Sequence, residues 1–312
     1  MRTSTAHRRS SDTAASADAA APRTSPGTPP AHPPVAALSG PAAVSAPVPA
    51  PVIASEPASD SLFNLSLAKG LQVLRAFSAA HRSMTLAEIA QAAGMTKASA
   101  QRSVHTLQAL GYIGKHPSTR RFVLLPRVVE LGFNYLDAHP MISAAHTYLA
   151  QLARQSGETA TLSEPAGTHM VYLAQVLTTQ HIPVLTPVGT QVPLYASSCG
   201  RAYLSQLPAA QAQALLQQAP MPPRTRATLT TVDAVMEQLA QCQQTGYATN
   251  CEELFLGDMG IAAPVFNARG VVVGAIHLAP PTSRWNMADA QQALAPLVIE
   301  CARAVSQLLP AD

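Results

Sequence analysis

The chain has 312 residues, carries 20 Lys and Arg against 17 Asp and Glu for a net charge of +3, and holds four cysteines and a single tryptophan. That length accommodates two domains with ample core, and with no run of eighteen apolar residues it excludes a membrane-spanning helix. Cys199, Cys242, Cys251 and Cys301 lie far apart, without a CxxC or a paired histidine spacing. This argues against a structural zinc, a disulfide framework and metalloenzyme chemistry, so the chain reads as cytoplasmic and free of metal or cofactor.

Residues 1–59 hold 11 of the 27 prolines amid Ala, Ser and Thr, with no Phe, Trp or Tyr. Such a segment buries too little apolar surface to offset the entropy of ordering it, which predicts a disordered tail over 1–60. Arg8-Arg9-Ser10 could open a twin-arginine signal, but SDTAASADAAAPRT follows in place of an apolar region, so no export signal is read.

Over 65–78, LSLAKGLQVLRAFS sets Leu67, Leu71, Leu74 and Phe77 at helical spacing, predicting a helix with that face inward. Thr85, with Glu88 three residues on, predicts a capping box opening a helix over 86–92. Gly94 supplies the left-handed residue that reverses the chain. Thr96 then caps a longer helix that ends near Gly111, with Val104, Leu107 and Leu110 inward.

The first two turns of that helix carry Lys97, Ala98, Ser99, Gln101 and Arg102, where a helix-turn-helix meets bases and phosphates. Arg102 can fork onto guanine and Gln101 onto adenine, while Thr96, Lys97 and Ser99 suit phosphates. An ordinary capped amphipathic helix with a solvated polar face is the alternative. GYIGKHPSTRRFVLLP follows as a hairpin turning over 116–118, with Lys115, Arg120 and Arg121 at its loop, a wing able to reach the sugar-phosphate backbone. The charge agrees: residues 60–125 carry +6, whereas 126–312 carry −4.

These runs, SLAKGLQVLRAF, TLAEIAQAAGMTKASAQRSVHTLQALGYI and RRFVLLPRVVELG, resemble the winged helix-turn-helix of IclR-type transcriptional regulators. HPMISAAHTYLAQLARQSGETATLS, VPLYASSCGRAYLS and GYATNCEELFLGDMGIAAPVFNARGVVVGAIHLAPP resemble that family's effector-binding domain, and the resemblance spans about 62–308. It implies a winged helix-turn-helix over 61–125, a linker helix over 126–139 and a GAF-like effector domain over 140–309.

Residues 126–138 read as a short amphipathic helix with Val129, Leu131 and Tyr135 available for packing. A helix over 142–155 follows through Ile142, Ala145, Leu149 and Leu152, closing at Gly157. ETATLSE, MVYLAQVL and IPVLTP then read as strands. Helices over 200–207 and 232–245, strands over 260–265 and 271–279, and a last helix over 289–308 complete the pattern. Irregular alternation of helices and strands, with several hairpins, indicates an α+β fold with an antiparallel sheet.

Small residues from Ala196 to Arg201 at a helix start leave N–H groups able to take a carboxylate or phosphate. The resemblance implies that the backbone at Ser198 and Cys199 lies beside the effector's acid group. Cys199 could alternatively be an acidified thiol, a redox sensor or nucleophile. The remaining ligand positions implied by the resemblance are Asn250, Gly260, His277 and Ala279, where members binding small oxo-acids carry Asp, Cys and two Ser. Gly260 and Ala279 are read as vacating volume, so the expected effector is a carboxylate larger or more apolar than glyoxylate or pyruvate, such as an aromatic or branched acid. His277 either donates to that acid or stacks on it, or is a core histidine satisfied by backbone. Glu252-Glu253 is read as local structure and Trp285 as packing.

The reading is a ligand-responsive regulator of a catabolic operon, a homodimer or tetramer on a pseudopalindromic operator in double-stranded DNA. Two alternatives stand beside it: an enzyme using Cys199 or His277 in the C-terminal domain, and a winged helix that binds protein.

Overall fold

The computed structural model describes residues 62–181 and 186–311. The tail expected over 1–60 lies outside the described residues, as do 182–185 of the strand expected from IPVLTP.

The first unit opens with α1 (Leu65–Arg75), whose N-cap Asn64 accepts from the Leu67 N–H. Its buried face is rotated from the one the sequence predicts. Val73 is fully buried, with Leu74 and Phe77 packed beside it, whereas Leu67 and Leu71 are exposed. The leucine spacing is helical, but the cover over this helix lies on the Val73 side.

Then come β1 (Ser83–Met84), α2 (Leu86–Ala92), α3 (Lys97–Ala109), β2 (Ile113–Lys115) and β3 (Phe122–Leu124). The strands form an antiparallel sheet in the order β1-β3-β2. The capping box of α2 closes in both directions: the Thr85 N–H donates to Glu88 Oε2 at 2.7 Å and the Glu88 N–H to Thr85 Oγ1 at 3.3 Å. Gly94 takes φ +61°, the left-handed turn that lets α3 cross α2. Val73, Met84, Ile89, Val104, Leu107 and Ile113 make the core. Leu110, predicted inward, is half exposed, because α3 ends at Ala109 and the chain swings away at Gly111.

The next helix, α4 (Val128–Ala138), buries none of its residues; Val129, Leu131, Phe133 and Tyr135 are all at least half exposed. It runs into α5 (Pro140–Ser156), which ends at Gly157 in the left-handed conformation.

Beyond lie β4 (Ala160–Ala166), β5 (His169–Val176), β6 (Gln191–Pro193), α6 (Ser198–Leu204), α7 (Ala209–Gln217), α8 (Val232–Thr245), β7 (Ala248–Cys251), β8 (Met259–Phe266), β9 (Val272–Leu278) and α9 (Met287–Ser306). Their strands form one antiparallel sheet in the order β6-β5-β4-β9-β8-β7, the α+β arrangement expected. Both faces are covered, so β8 and β9 are buried along nearly their whole length rather than on alternate residues.

Period-two alternation divides their side chains between two cores. Ile261, Ala263, Ile276 and Leu278 join Leu149 and Leu152 of α5 and Leu294 and Val298 of α9. Ala262 and Ala275 face the other way, toward Cys199 and Leu204 of α6 and Val235 and Leu239 of α8. On this second face α6 comes down tightly onto the chain: a Cβ added at Gly200 would overlap the Leu194 backbone. Among the described residues, no helix is long and apolar enough to cross a membrane.

Candidate functional site

On α3 the turn-by-turn spacing brings Ala98, Gln101, Arg102, His105 and Gln108 onto one outward face. With Leu86 and with Lys115 and Phe122 of the hairpin, they line an open groove of about 560 Å³. Gln101, Arg102 and Lys115 are exposed, and the Lys115 Nζ sits 5.5 Å from the Phe122 ring centroid. His105 and Gln108 were missed in the sequence, though their i+4 and i+7 spacing from Gln101 marks them as the same face.

The other predicted contact residues separate. Thr96 and Lys97 are exposed at the helix start, with Thr96 Oγ1 accepting from the Ser99 N–H at 3.3 Å. Ser99 itself is turned inward and only 7% exposed. Arg120 is exposed at the hairpin with φ +56°. Arg121 is engaged within the unit: its Nη2 donates to Glu88 Oε2 at 2.5 Å and to the Ser83 carbonyl at 3.0 Å, and its Nε to Ser83 Oγ at 3.2 Å. The Thr85 N–H and this guanidinium together hold the Glu88 carboxyl below its usual range. Arg121 therefore clamps the hairpin to the capping box of α2.

In the larger unit, Ser198 and Cys199 of α6, Asn250 of β7, Gly260 of β8, His277 of β9 and Ala279 just beyond it all line one cavity of about 30 Å³. Thr161, Tyr172, Gln175 and Asp258, not singled out in the sequence, also line it, with Leu254, Phe255 and Met259 among the apolar residues of the wall. The Ser198 N–H at the start of α6 is already engaged, donating to Asn250 Oδ1 at 3.2 Å.

Gly260 does not vacate volume as the sequence reading held. A Cβ there would overlap both Asn250 Oδ1 and Ser198 Oγ, so these two side chains occupy the space the missing methyl leaves. Cys199 is 1% exposed, and burial pushes its thiol up, opposite to the acidified nucleophile entertained above. Its side-chain partners are Ser197 and Ser163.

His277 packs against Tyr172, ring centroids 5.0 Å apart and tilted by 45°. Its Nδ1 is buried without a hydrogen-bond partner, so it is not the backbone-satisfied core histidine. Burial depresses its pKa to about 4, leaving the ring neutral near pH 7. Asp258 moves the other way: burial lifts its carboxyl to about 7, against a backbone hydrogen bond from Met259.

Among the described residues, neither Arg nor Lys lines the cavity. Arg201, 1% exposed behind the wall, donates from Nε to the Tyr195 carbonyl at 3.0 Å and from Nη1 to the Thr249 carbonyl at 3.0 Å and Glu253 Oε1 at 2.7 Å. Its Nη2 pairs with Glu253 Oε2. Glu253 is thus structural, as is Glu252, whose Oε1 accepts from the Gly257 N–H at 2.9 Å. Trp285 packs on the α5–α9 core and donates from Nε1 to the buried Glu158 at 2.8 Å.

Where α4 meets α5, Tyr135 donates its hydroxyl to Glu164 of β4, and His139 Nε2 lies 3.1 Å from the same carboxylate. Thr161 of the cavity wall is on the same strand.

Comparison with known proteins places these two sites in context. Residues 66–117 match the IclR helix-turn-helix domain, and 133–307 match the family described as bacterial transcriptional regulator IclR, C-terminal. The chain is 30% identical over 245 residues to the Pca regulon regulatory protein of Pseudomonas putida, covering 78% of this chain and 84% of that one. It is 28% identical over 234 residues to the transcriptional repressor IclR of Escherichia coli K12, covering 74% and 85%. The solved structure of an IclR transcriptional regulator from Alicyclobacillus acidocaldarius aligns with a TM-score of 0.70 at 26% identity, covering 79% of this chain and 99% of that one.

Proposed function

The chain belongs to the IclR family of bacterial transcriptional regulators, and we propose that it reads an operator with α3 and its following hairpin while a small carboxylate effector occupies the buried cavity. In this reading 61–125 is the DNA-binding domain, 126–139 the linker and 140–309 the effector domain. The observation that carries it is the groove that gathers Gln101, Arg102 and Lys115 on one exposed face. Arg102 and Gln101 project from α3 as base readers, and Lys97, Lys115 and Arg120 supply phosphate contacts around them. His105 and Gln108 extend the same face.

A single such head makes few contacts, so the working unit is a homo-oligomer on a pseudopalindromic site. The exposed leucines of α1 and the exposed apolar face of α4 supply surface for that assembly. For the effector, the hydroxyl and amide groups of the cavity suit an organic acid, and the similarity to a regulon-controlling protein supports control of a catabolic operon. Enzymatic use of Cys199 is disfavoured by the burial that raises its thiol pKa.

The test is fluorescence anisotropy on a DNA site that the protein selects from a random pool, with scrambled DNA in parallel. Arg102→Ala should cost about 1–3 kcal/mol at one base pair and relax specificity there, whereas Lys115→Ala should weaken both DNAs alike and lower the salt slope by about one. Equal losses on both DNAs for Arg102→Ala would overturn its base-reading role. A thermal-shift panel of glyoxylate, pyruvate, benzoate and 4-hydroxybenzoate tests the effector class, and stabilisation by the two- and three-carbon acids alone would overturn the larger-acid reading.

A further inference from the structure

An acid group entering this cavity meets a carboxyl and no cation. Asp258 and His277 are the ionisable side chains of its wall apart from Tyr172 and Cys199, which burial keeps protonated. Of the charges nearby, Arg201 is held by Glu253, and Glu252 accepts a hydrogen bond from the Gly257 N–H. The helix-start N–H of Ser198 is taken by Asn250. The one buried polar atom of the wall left without a partner is His277 Nδ1.

Two carboxylates cannot share such a site unless a proton lies between them. We propose that Asp258, as the acid, and His277 Nδ1 form a proton-sharing receptor for the effector's carboxylate, so that binding draws a proton from water to an extent that rises toward one above neutral pH. The inference rests on the carboxylate reading given above and extends it to the chemistry of capture. No covalent bond to the effector is made or broken. The proton added to ionised Asp258 stays between its oxygen and the effector's, and the neutral imidazole contributes a hydrogen bond without changing charge.

The sign follows from the free protein. Below about pH 7 Asp258 is already protonated, and the affinity for an acid anion is level; above it, each unit of pH costs a factor approaching ten. His277 stays neutral across this window and contributes no slope. Asp258→Asn keeps the shape and a hydrogen-bond donor but removes the titration. His277→Phe keeps the ring against Tyr172 and removes Nδ1.

Isothermal titration of the full chain with benzoate and with pyruvate, from pH 6 to 9 in paired buffers of differing ionisation enthalpy, tests the proposal. The expected result is a fall in affinity of about fifty-fold between pH 7 and 9, with close to one proton taken up at pH 8.5. Asp258→Asn should flatten this dependence, and His277→Phe should weaken binding at every pH while keeping the slope. Binding that is independent of pH, without proton uptake by the wild-type protein, would overturn the proton-sharing receptor while leaving the cavity as the effector site. The wild-type measurement decides this even if a variant fails to fold. If neither acid binds at any pH, the carboxylate reading itself falls.

Discussion

Replacing Arg201 with alanine should destabilise the effector domain more than almost any other single change to a charged residue. The guanidinium is 1% exposed and spends its donors on the Tyr195 and Thr249 carbonyls and on both oxygens of Glu253. Its loss strands the carboxylate of Glu253, a side chain only 10% exposed, with the Leu229 N–H at 3.3 Å as its remaining donor. Removing one partner of a buried pair costs about 3–5 kcal/mol. In a domain of this size each kcal/mol lowers Tm by about 2–4 °C, so the expected drop is roughly 6–20 °C. Circular dichroism at 222 nm would follow the melt, with urea unfolding giving the free energy at 25 °C. The double variant Arg201→Met with Glu253→Leu should recover much of the loss, because two apolar side chains leave no stranded charge. A single variant within about 1 kcal/mol of wild type, or a double variant no better than the single one, would refute the reasoning. The pair also joins α6 to the residues around β7, two walls of the cavity, so the single variant should bind effector more weakly at temperatures where it remains folded.

Two further outcomes follow from the cavity wall. Gly260→Ala pushes a methyl into the Asn250 oxygen and the Ser198 hydroxyl, and should cost about 1–3 kcal/mol by urea unfolding while breaking the Ser198–Asn250 bond; an unchanged midpoint would show that the space is free after all. With a thiol reagent at pH 8, exposed Cys251 should react first, while Cys199, Cys242 and Cys301 stay protected until unfolding. Rapid labelling of Cys199 in the folded protein would revive its candidacy as a nucleophile.

The parts of the fold legible in the sequence are those set by neighbours along the chain. The capping box at Thr85, the turn at Gly94 and the bounds of α8, from Thr231 as cap to Gly246 as stop, are local hydrogen-bonding and φ requirements visible as residue types. The inward face of α1 was misread because Leu67 and Leu71 form a proper helical stripe, and nothing local tells which side the rest of the unit covers. β1, β6 and β7 span two to four residues, too few for alternation to register. In the cavity, the small residues at the start of α6 were recognisable, and a family resemblance pointed to positions on three strands. The filling of the Gly260 space was hidden, since it depends on Ser198 and Asn250 meeting across 52 positions of sequence. Asp258 was equally hidden: an acidic residue beside a glycine in a loop reads as solvated until the packing that withdraws it from water is seen.

The cavity's volume has a consequence for timing. A water needs roughly 10–15 Å³ of such space, so about 30 Å³ holds a pair of waters and no organic acid. In the proposed reading an effector binds only where the walls part, before or after first contact, and its observed affinity is lowered by the free energy of that opening. Association would then level off at high concentration at the rate of parting rather than climb with each encounter. Substitutions that favour the open form would sharpen the response without touching the ligand, and the tightness of the resting wall would set how quickly the cell notices its signal.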